Sequence, residues 1–286
     1  MCIRDSTYGA NSNSLTSSHL SEALEKGAQQ FGWATKRSQS GKRNGSKVIG
    51  VGVGQAYHSA GSNGFDGLVR ITPDGKLHIH TGVGNLGTYS HTATSRVAAE
   101  VLKYDWDNCV IERGDSRRHL PWNFGQFGSN TSFTMTRTNF VAAQDALQKV
   151  LEIATIQFGG SPSDFDIANE TVFLKKDPSI FLSYADVAAA AIELGGKFSG
   201  QSAPEDINAM TRRSVAGLSG TGLIGVAKDN LEKNATVPAL AAGFIQIELD
   251  LETGKYEILD YLGVADCGTV LHPRGLEIQV KSAAVM

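Results

Sequence analysis

The chain has 286 residues, 41% apolar and 19% charged, enough material for one large or two ordinary globular domains. A formal net charge of −3 gives no global attraction to nucleic acid or to an anionic membrane surface. Cys2, Cys109 and Cys267 lie far apart without CxxC spacing, which argues against a zinc site or a disulfide framework and fits a reducing compartment; no long apolar run or signal-peptide core is present.

Residues 1–6, Met-Cys-Ile-Arg-Asp-Ser, are unlike the rest of the chain and read as a translated sequencing adaptor, so the source protein is expected to continue upstream. Residues 7–47 read as a helix and a basic linker. Leu20, Ala23, Leu24, Ala28 and Phe31 repeat at helical spacing with Ser21 as a cap, and the Lys/Arg stretch 36–47 is broken by Ser, Gly and Asn. The segment 48–160 opens with Val48-Ile49-Gly50-Val51-Gly52-Val53-Gly54, a strictly alternating strand whose glycine face is expected to press on another backbone. Residues 55–61 do not open a helix and no acidic residue follows a second strand at the right distance, so this is not a dinucleotide fingerprint. Residues 67–72, the turn Pro73-Asp74-Gly75 and residues 76–81 make a β-hairpin.

That hairpin delivers Gly82, Gly84 and Gly87, then Thr88, Ser90 and Thr92, whose hydroxyls offer caps for a helix carrying Val97, Ala98, Val101 and Leu102 on one stripe. A glycine loop at the positive end of a helix suits a phosphate or another anionic acceptor. His78 and His80 share a strand face and with His91 have ligand chemistry, but their spacing alone supplies no metal geometry; polar residues on a solvated face is the competing reading. A short strand at 109–112 and a polar loop reaching Ser132 then lead to a second helix, in which Val141, Ala142, Ala146, Leu147, Val150, Leu151 and Ala154 keep the apolar stripe. Two strand, polar-loop, helix units in tandem are a device for holding one extended anionic ligand.

Residues 161–240 read as an insertion or peripheral lobe, with a strand at 171–174 and a helix seeded by Ser183-Tyr184-Ala185-Asp186 that runs to Leu194. The last segment, 241–286, is a hairpin that turns at Glu252-Thr253-Gly254 and leads through Val264-Ala265-Asp266-Cys267-Gly268 to a helix starting near Glu277.

Taken together, Gly84-Asn85-Leu86-Gly87, Gly125-Gln126-Phe127-Gly128-Ser129, and Asp266-Cys267-Gly268 with Leu271-His272-Pro273 and then Gln279 resemble the molybdenum-binding large subunit of the xanthine dehydrogenase and aldehyde oxidase family. The resemblance implies an α+β fold: a partial molybdopterin-binding domain of mixed sheets, with helices following polar Gly/Ser-rich loops. By motif position it implies that Asn85, Leu86, Gly87 and Thr88 contact the molybdenum and pterin end, that Gly128 and Ser129 line the pterin phosphate, and that Gln279 hydrogen-bonds the pterin. The chain departs from the family pattern where Gly87-Thr88-Tyr89 replaces a Gly-Gln-Gly run and where His272-Pro273 replaces Asn-Pro. A threonine hydroxyl offers one donor where a glutamine amide offers two.

The implied chemistry is hydroxylation of an aldehyde or N-heterocycle with water as the oxygen source. The implied cofactor is molybdopterin, in bacteria often as its cytosine dinucleotide, with electrons leaving through [2Fe-2S] clusters and usually FAD on partner chains or domains. The family's general base is a glutamate in a later Gly-Glu motif, expected beyond Met286, so no catalytic or metal-ligating residue is assigned in this chain, which alone is expected to be inactive. Localisation is expected to be cytoplasmic, or periplasmic after folded export. The alternative is a non-catalytic module that binds an anionic, nucleotide-like ligand with the same two helix starts.

Overall fold

A computed structural model describes residues 7–8, 13–61, 64–123, 125–232 and 235–285. The adaptor-like segment 1–6, Phe124 of the second loop and Met286 lie outside the described residues. Contacts divide the chain into a terminal unit, Met1–Ala60 with Lys233–Met286, and a central unit, Gly61–Glu232. The strand read at 48–54 and the hairpin read at 67–81 therefore fall in different units.

In chain order the elements are α1 (Leu20–Phe31), β1 (Lys47–Ala60), β2 (Asp66–Ile71), β3 (Leu77–His80), α2 (Ser90–Leu102), β4 (Cys109–Glu112) and α3 (Thr131–Phe158). There follow β5 (Phe165–Ala168), β6 (Thr171–Leu174), β7 (Asp177–Ser183), α4 (Tyr184–Leu194), α5 (Ala209–Leu218), β8 (Leu223–Lys228), β9 (Val237–Asp250), β10 (Tyr256–Asp266) and α6 (Pro273–Val285). Mixed sheets with helices following loops give the α+β architecture expected.

The central unit is built on a sheet of order β8-β2-β3-β4. β2 and β3 form the expected hairpin, with Leu68 opposite His80 and Ile71 opposite Leu77. Gly75 takes the positive φ of its turn at 80°, a conformation cheap for glycine. The chain then crosses over through α2 and returns as β4, parallel to β3, with Leu77 beside Cys109 and His80 beside Glu112. The helix α3, 28 residues long, ends at Gly159 and crosses the same face of the sheet as α2. Two strand glycines permit that crossing. A Cβ on Gly67 would lie 1.9 Å from the Thr138 carbonyl oxygen, and one on Gly225 would lie 2.5 Å from that of Ala142. Val69, Ile71, Leu77, Ile79, Leu102, Ala142, Ala146 and Val150 are fully buried between sheet and helices.

The other face of the sheet packs Leu68, Ile224 and Val226 against Val215 and Leu218 of α5. Within the span read as 161–240, β8 is thus an edge strand of the main sheet, and Leu223 and Ile224 have no exposure at all. Its sequence signal is weak because the apolar run is short and follows Gly220 and Gly222. The small sheet β7-β6-β5 and α4 complete the unit. A reciprocal Ser183/Asp186 box caps α4 as the sequence indicates, and the buried Tyr184 hydroxyl donates to the Leu102 carbonyl at 2.9 Å.

In the terminal unit β1 and β9 pair antiparallel over their full length, from Val237 opposite Ala60 to Asp250 opposite Lys47, and β10 joins β9 through the expected turn. α1 lies across this sheet with Phe31 against Phe244, and Trp33, in the helical turn that follows, meets the same ring. Three expectations need correction. No side chain caps α1, whose N-cap is His19, so Ser21 does not serve. The stretch 36–47 is not a linker: the helical turn Trp33–Arg37 and the strand Arg43–Asn44 occupy it, and Lys36 and Lys47 pair with Asp260 and Glu248. The glycine face of β1 does not press on a backbone, since a Cβ on Gly52 would meet only Ile245 at 3.9 Å and one on Gly54 nothing within 4 Å.

Candidate functional site

β3 and β4 are parallel neighbours, so the loops that leave their carboxyl ends run side by side, the usual place for a ligand in an open sheet. The structure joins the two loops directly. Gly82 donates its N–H to Asn123 Oδ1 at 2.6 Å, and the Asn123 amide donates to the carbonyls of Asp66 and Trp122. A Cβ on Gly82 would lie 2.6 Å from the Pro121 carbonyl oxygen, so this seam closes only on glycine. Further out, Gln126 Oε1 accepts from the Leu86 N–H at 2.9 Å while its Nε2 donates to Thr88 Oγ1 at 2.8 Å and to Ser90 Oγ at 3.2 Å. Within the first loop Asn85 Oδ1 accepts the Thr88 N–H at 3.1 Å.

Asn85, Leu86, Gly87 and Thr88 thus stand in one loop and Gly128 and Ser129 in its neighbour. Gly87, Gly128 and Ser129 have φ of 78°, 59° and 55°, and a Cβ on either glycine would meet nothing within 4 Å. Leu86 and Phe127 expose apolar side chains at the two loop tips, with 73% and 61% of their surface open. Gln279 lies on α6 of the terminal unit. At the start of that helix His272 takes a capping role, its Nδ1 accepting the Gly275 N–H at 2.9 Å.

Neither loop helix is closed by its own side chains. The N-cap of α2 is Tyr89 in a left-handed conformation, not Thr88, Ser90 or Thr92 as expected, and it makes no side-chain cap bond. Ser90 Oγ instead donates to the Gly84 carbonyl. The N-cap of α3 is Asn130, whose Oδ1 accepts from the Thr134 hydroxyl rather than from a backbone amide. Neither first turn holds an acidic residue. Two adjacent helix starts, each worth about half a positive charge, therefore face the loops without an anion of their own.

The histidines are not the solvated set that composition suggested, nor a metal set: among the described residues no group of three or more His, Cys, Asp or Glu could hold a metal ion. His78 bonds Glu112 at 2.9 Å. Burial would push the Glu112 carboxyl up, but hydrogen bonds from His78 and Arg118 outweigh it and hold the group below the usual carboxylate range. His80 is 1% exposed, bonds the Arg118 carbonyl through Nδ1, and is pushed down to about 4 by burial and then by Arg70. His91 Nε2 donates to the Val83 carbonyl at 2.9 Å, which leaves Nδ1 to accept from Arg113 at 3.1 Å, so both ring nitrogens are engaged in bracing the first loop. Burial pushes the Cys109 thiol up to about 12, so it is no nucleophile.

Sequence reading missed Asn123 and Gln126 as loop braces, although Gln126 stands inside a quoted motif. Thr81 and Thr131 stand at the two loops as well. Their hydroxyl oxygens are buried beside the loops and have no hydrogen-bond partner among the described residues. Elsewhere in the unit, a depression of about 480 Å³ lined by Glu100, Lys103, Tyr104, Asp105 and Glu170 includes no loop residue, and its carboxylates give it the wrong charge for an anion.

Paired glycine loops that end on uncapped helix starts suit an anionic group. The family profile described as molybdopterin cofactor-binding domain matches residues 26–286. The aldehyde oxidoreductase molybdenum-binding subunit of Escherichia coli is 24% identical over 269 residues, which cover 93% of this chain and 32% of that protein. Two solved structures share the fold. Quinoline 2-oxidoreductase from Pseudomonas putida has a TM-score of 0.71 at 19% identity, covering 99% of this chain and 35% of that one. CO dehydrogenase from Oligotropha carboxidovorans has a TM-score of 0.69 at 20% identity, covering 94% and 33%. The chain belongs to the molybdopterin cofactor-binding domain family, among the molybdenum-binding large subunits of the xanthine dehydrogenase and aldehyde oxidase type. It spans about a third of the length of the curated relatives it matches.

The residues present fit such a cofactor. Open space lies over Gly87 and Gly128, two helix starts lack anions, and the buried Thr81 and Thr131 hydroxyls lack partners among the described residues.

Proposed function

We propose that the two loops hold molybdopterin, as its cytosine dinucleotide, within an oxidoreductase that hydroxylates an aldehyde or an N-heterocycle. The observation that carries this reading is the pair of adjacent, uncapped helix starts joined through Gln126. When bound, the cofactor supplies two-electron oxidation with water as the oxygen source. This chain's own residues bind and orient it. Asn85, Leu86, Gly87 and Thr88 form the wall toward the molybdenum and pterin end, and Gly128 and Ser129 bring backbone amides and a hydroxyl to the phosphate. For Gln279 the reading rests on its motif position alone, which implies a hydrogen bond to the pterin. The exposed Leu86 and Phe127 exclude water from the bound group's edge. Electrons leave through [2Fe-2S] clusters, with FAD, on partner chains or domains, and the assembled protein works in the cytoplasm.

The test is to produce the complete reading frame in a host that makes the cofactor and to measure molybdenum and released CMP per polypeptide. Near-stoichiometric amounts are expected in the wild type. Ser129→Asp removes a donor and sets a carboxylate beside a phosphate, a repulsion of a few kcal/mol, so it should expel the cofactor. Wild-type protein without molybdenum, or full occupancy in Ser129→Asp, would overturn the assignment.

A further inference from the structure

The first loop lacks a long side-chain amide of its own at position 88, and the second loop reaches across to supply one. Among the described residues, Gln126 bonds only to the first loop and the helix start after it: the carbonyl oxygen takes the Leu86 N–H, and the two N–H donors take Thr88 Oγ1 and Ser90 Oγ. The amide is used almost to its capacity, and its orientation is fixed by having a donor on one side and hydroxyl oxygens on the other. Glycines flank this contact on both sides, Gly84 and Gly87 in one loop and Gly125 and Gly128 in the other, and Gln126 braces the two tips.

This bonding fixes a polarity. Because Gln126 donates to Thr88 Oγ1, the Thr88 hydroxyl proton points away from the amide, and among the described residues that proton has no acceptor. Ser90 is spent differently, since its Oγ accepts from Gln126 and donates to the Gly84 carbonyl. Thr88 is therefore the hydroxyl in this network whose proton is not committed to a described neighbour.

We propose that Gln126 is a positioning residue for the bound cofactor: it clamps the first loop through Leu86 and turns the Thr88 hydroxyl into a donor directed at the ligand. This rests on the cofactor reading of the two loops. Gln126 need not touch the cofactor. Its effect passes through Thr88, so the two positions act as one unit and their substitutions are not additive.

The experiment uses the complete reading frame from a cofactor-competent host, with two readouts: molybdenum per polypeptide and hydrogen exchange of the Leu86 amide. Gln126→Leu should speed exchange at Leu86 by about tenfold and lower molybdenum content, because the clamp and the polarity are both lost. Gln126→Glu keeps an acceptor for Leu86 but cannot donate to Thr88, so exchange should stay slow while molybdenum falls. Thr88→Val should lower molybdenum with Leu86 still protected, Thr88→Ser should restore it, and Thr88→Val with Gln126→Leu should be no worse than Gln126→Leu alone. A role confined to bracing the loop predicts instead that Gln126→Glu and Thr88→Val hold as much molybdenum as wild type, and that result overturns the proposal. Wild-type protein without molybdenum overturns the cofactor reading itself, and with it the role of Gln126, which separates the two failures.

Discussion

Replacing Gly67 by alanine should open the interface between α3 and the central sheet, although the added group is a single methyl. The new Cβ would lie 1.9 Å from the Thr138 carbonyl oxygen and 2.6 Å from its carbon, where real Cβ atoms keep at least 3.0 Å. The obstacle is helix backbone, so no rotamer change relieves it. α3 has to retreat, and Ala142 and Ala146, both fully buried, lose contact with the sheet. Overpacking of this kind costs about 1–3 kcal/mol when side chains can yield, so the backbone clash should reach about 3 kcal/mol, offset by under about 1 kcal/mol from the stiffer unfolded chain. Gly52→Ala is the matched control, because its Cβ would have only Ile245 for company, at 3.9 Å. There the same change should be neutral or stabilise by about 0.5 kcal/mol. Opening free energies from hydrogen exchange of α3 and β1 amides in the complete protein measure both. Equal effects at the two positions would refute the reasoning. A retreat of α3 also carries Ser129 and Thr131 with it, so Gly67→Ala should lower molybdenum content without touching either loop.

The buried His80 and the buried ion pair give two more expectations. His80 is held neutral in the fold down to about 4, whereas an unfolded histidine takes up its proton near 6.5, so the unfolded state binds more protons between those values. Its contribution to stability is full above about 6.5 and is lost as pH falls toward 4, and His80→Leu should flatten the fall in central-unit stability measured by hydrogen exchange between pH 7 and 5; an unchanged slope would exclude His80 as the cause. Arg137 on α3 donates to both oxygens of Asp229, which is fully buried, so Arg137→Met should cost about 3–5 kcal/mol by leaving that carboxylate unpaired. Adding Asp229→Leu should recover most of the loss in thermal unfolding, and no recovery would mean the arginine acts mainly through its contacts to the 231–232 carbonyls.

Local chemistry marked the elements whose signals are short-range. The Pro73-Asp74-Gly75 turn, the Ser183/Asp186 box and the apolar stripe of α3 each state their structure within a few residues, and each is formed. β8 was illegible because its burial depends on a partner, β2, that lies far away in sequence, and nothing in Leu223-Ile224-Gly225-Val226 distinguishes an edge strand from a loop. The glycines misled for the same reason. Gly50, Gly52 and Gly54 advertise a close approach by their alternation, yet the strand glycines that a helix backbone closely approaches are Gly67 and Gly225, which face α3. A strand sequence records which face is small but not which face a helix crosses.

The loops show the same division between what is local and what is assembled. Their glycines, hydroxyls and following helices were legible, since each is a contiguous string. The seam between them was not, because Asn123 with Gly82 and Gln126 with Leu86, Thr88 and Ser90 are pairings across roughly forty residues of chain. Those pairings change the meaning of the departure at Thr88. Taken alone, a threonine in place of a glutamine removes an amide from the site. Taken with Gln126, the amide is still present but enters from the second loop, and the threonine hydroxyl passes its polarity on. An amide held by three bonds is also less free to move than one on a flexible stem, so the first loop is braced without a ligand.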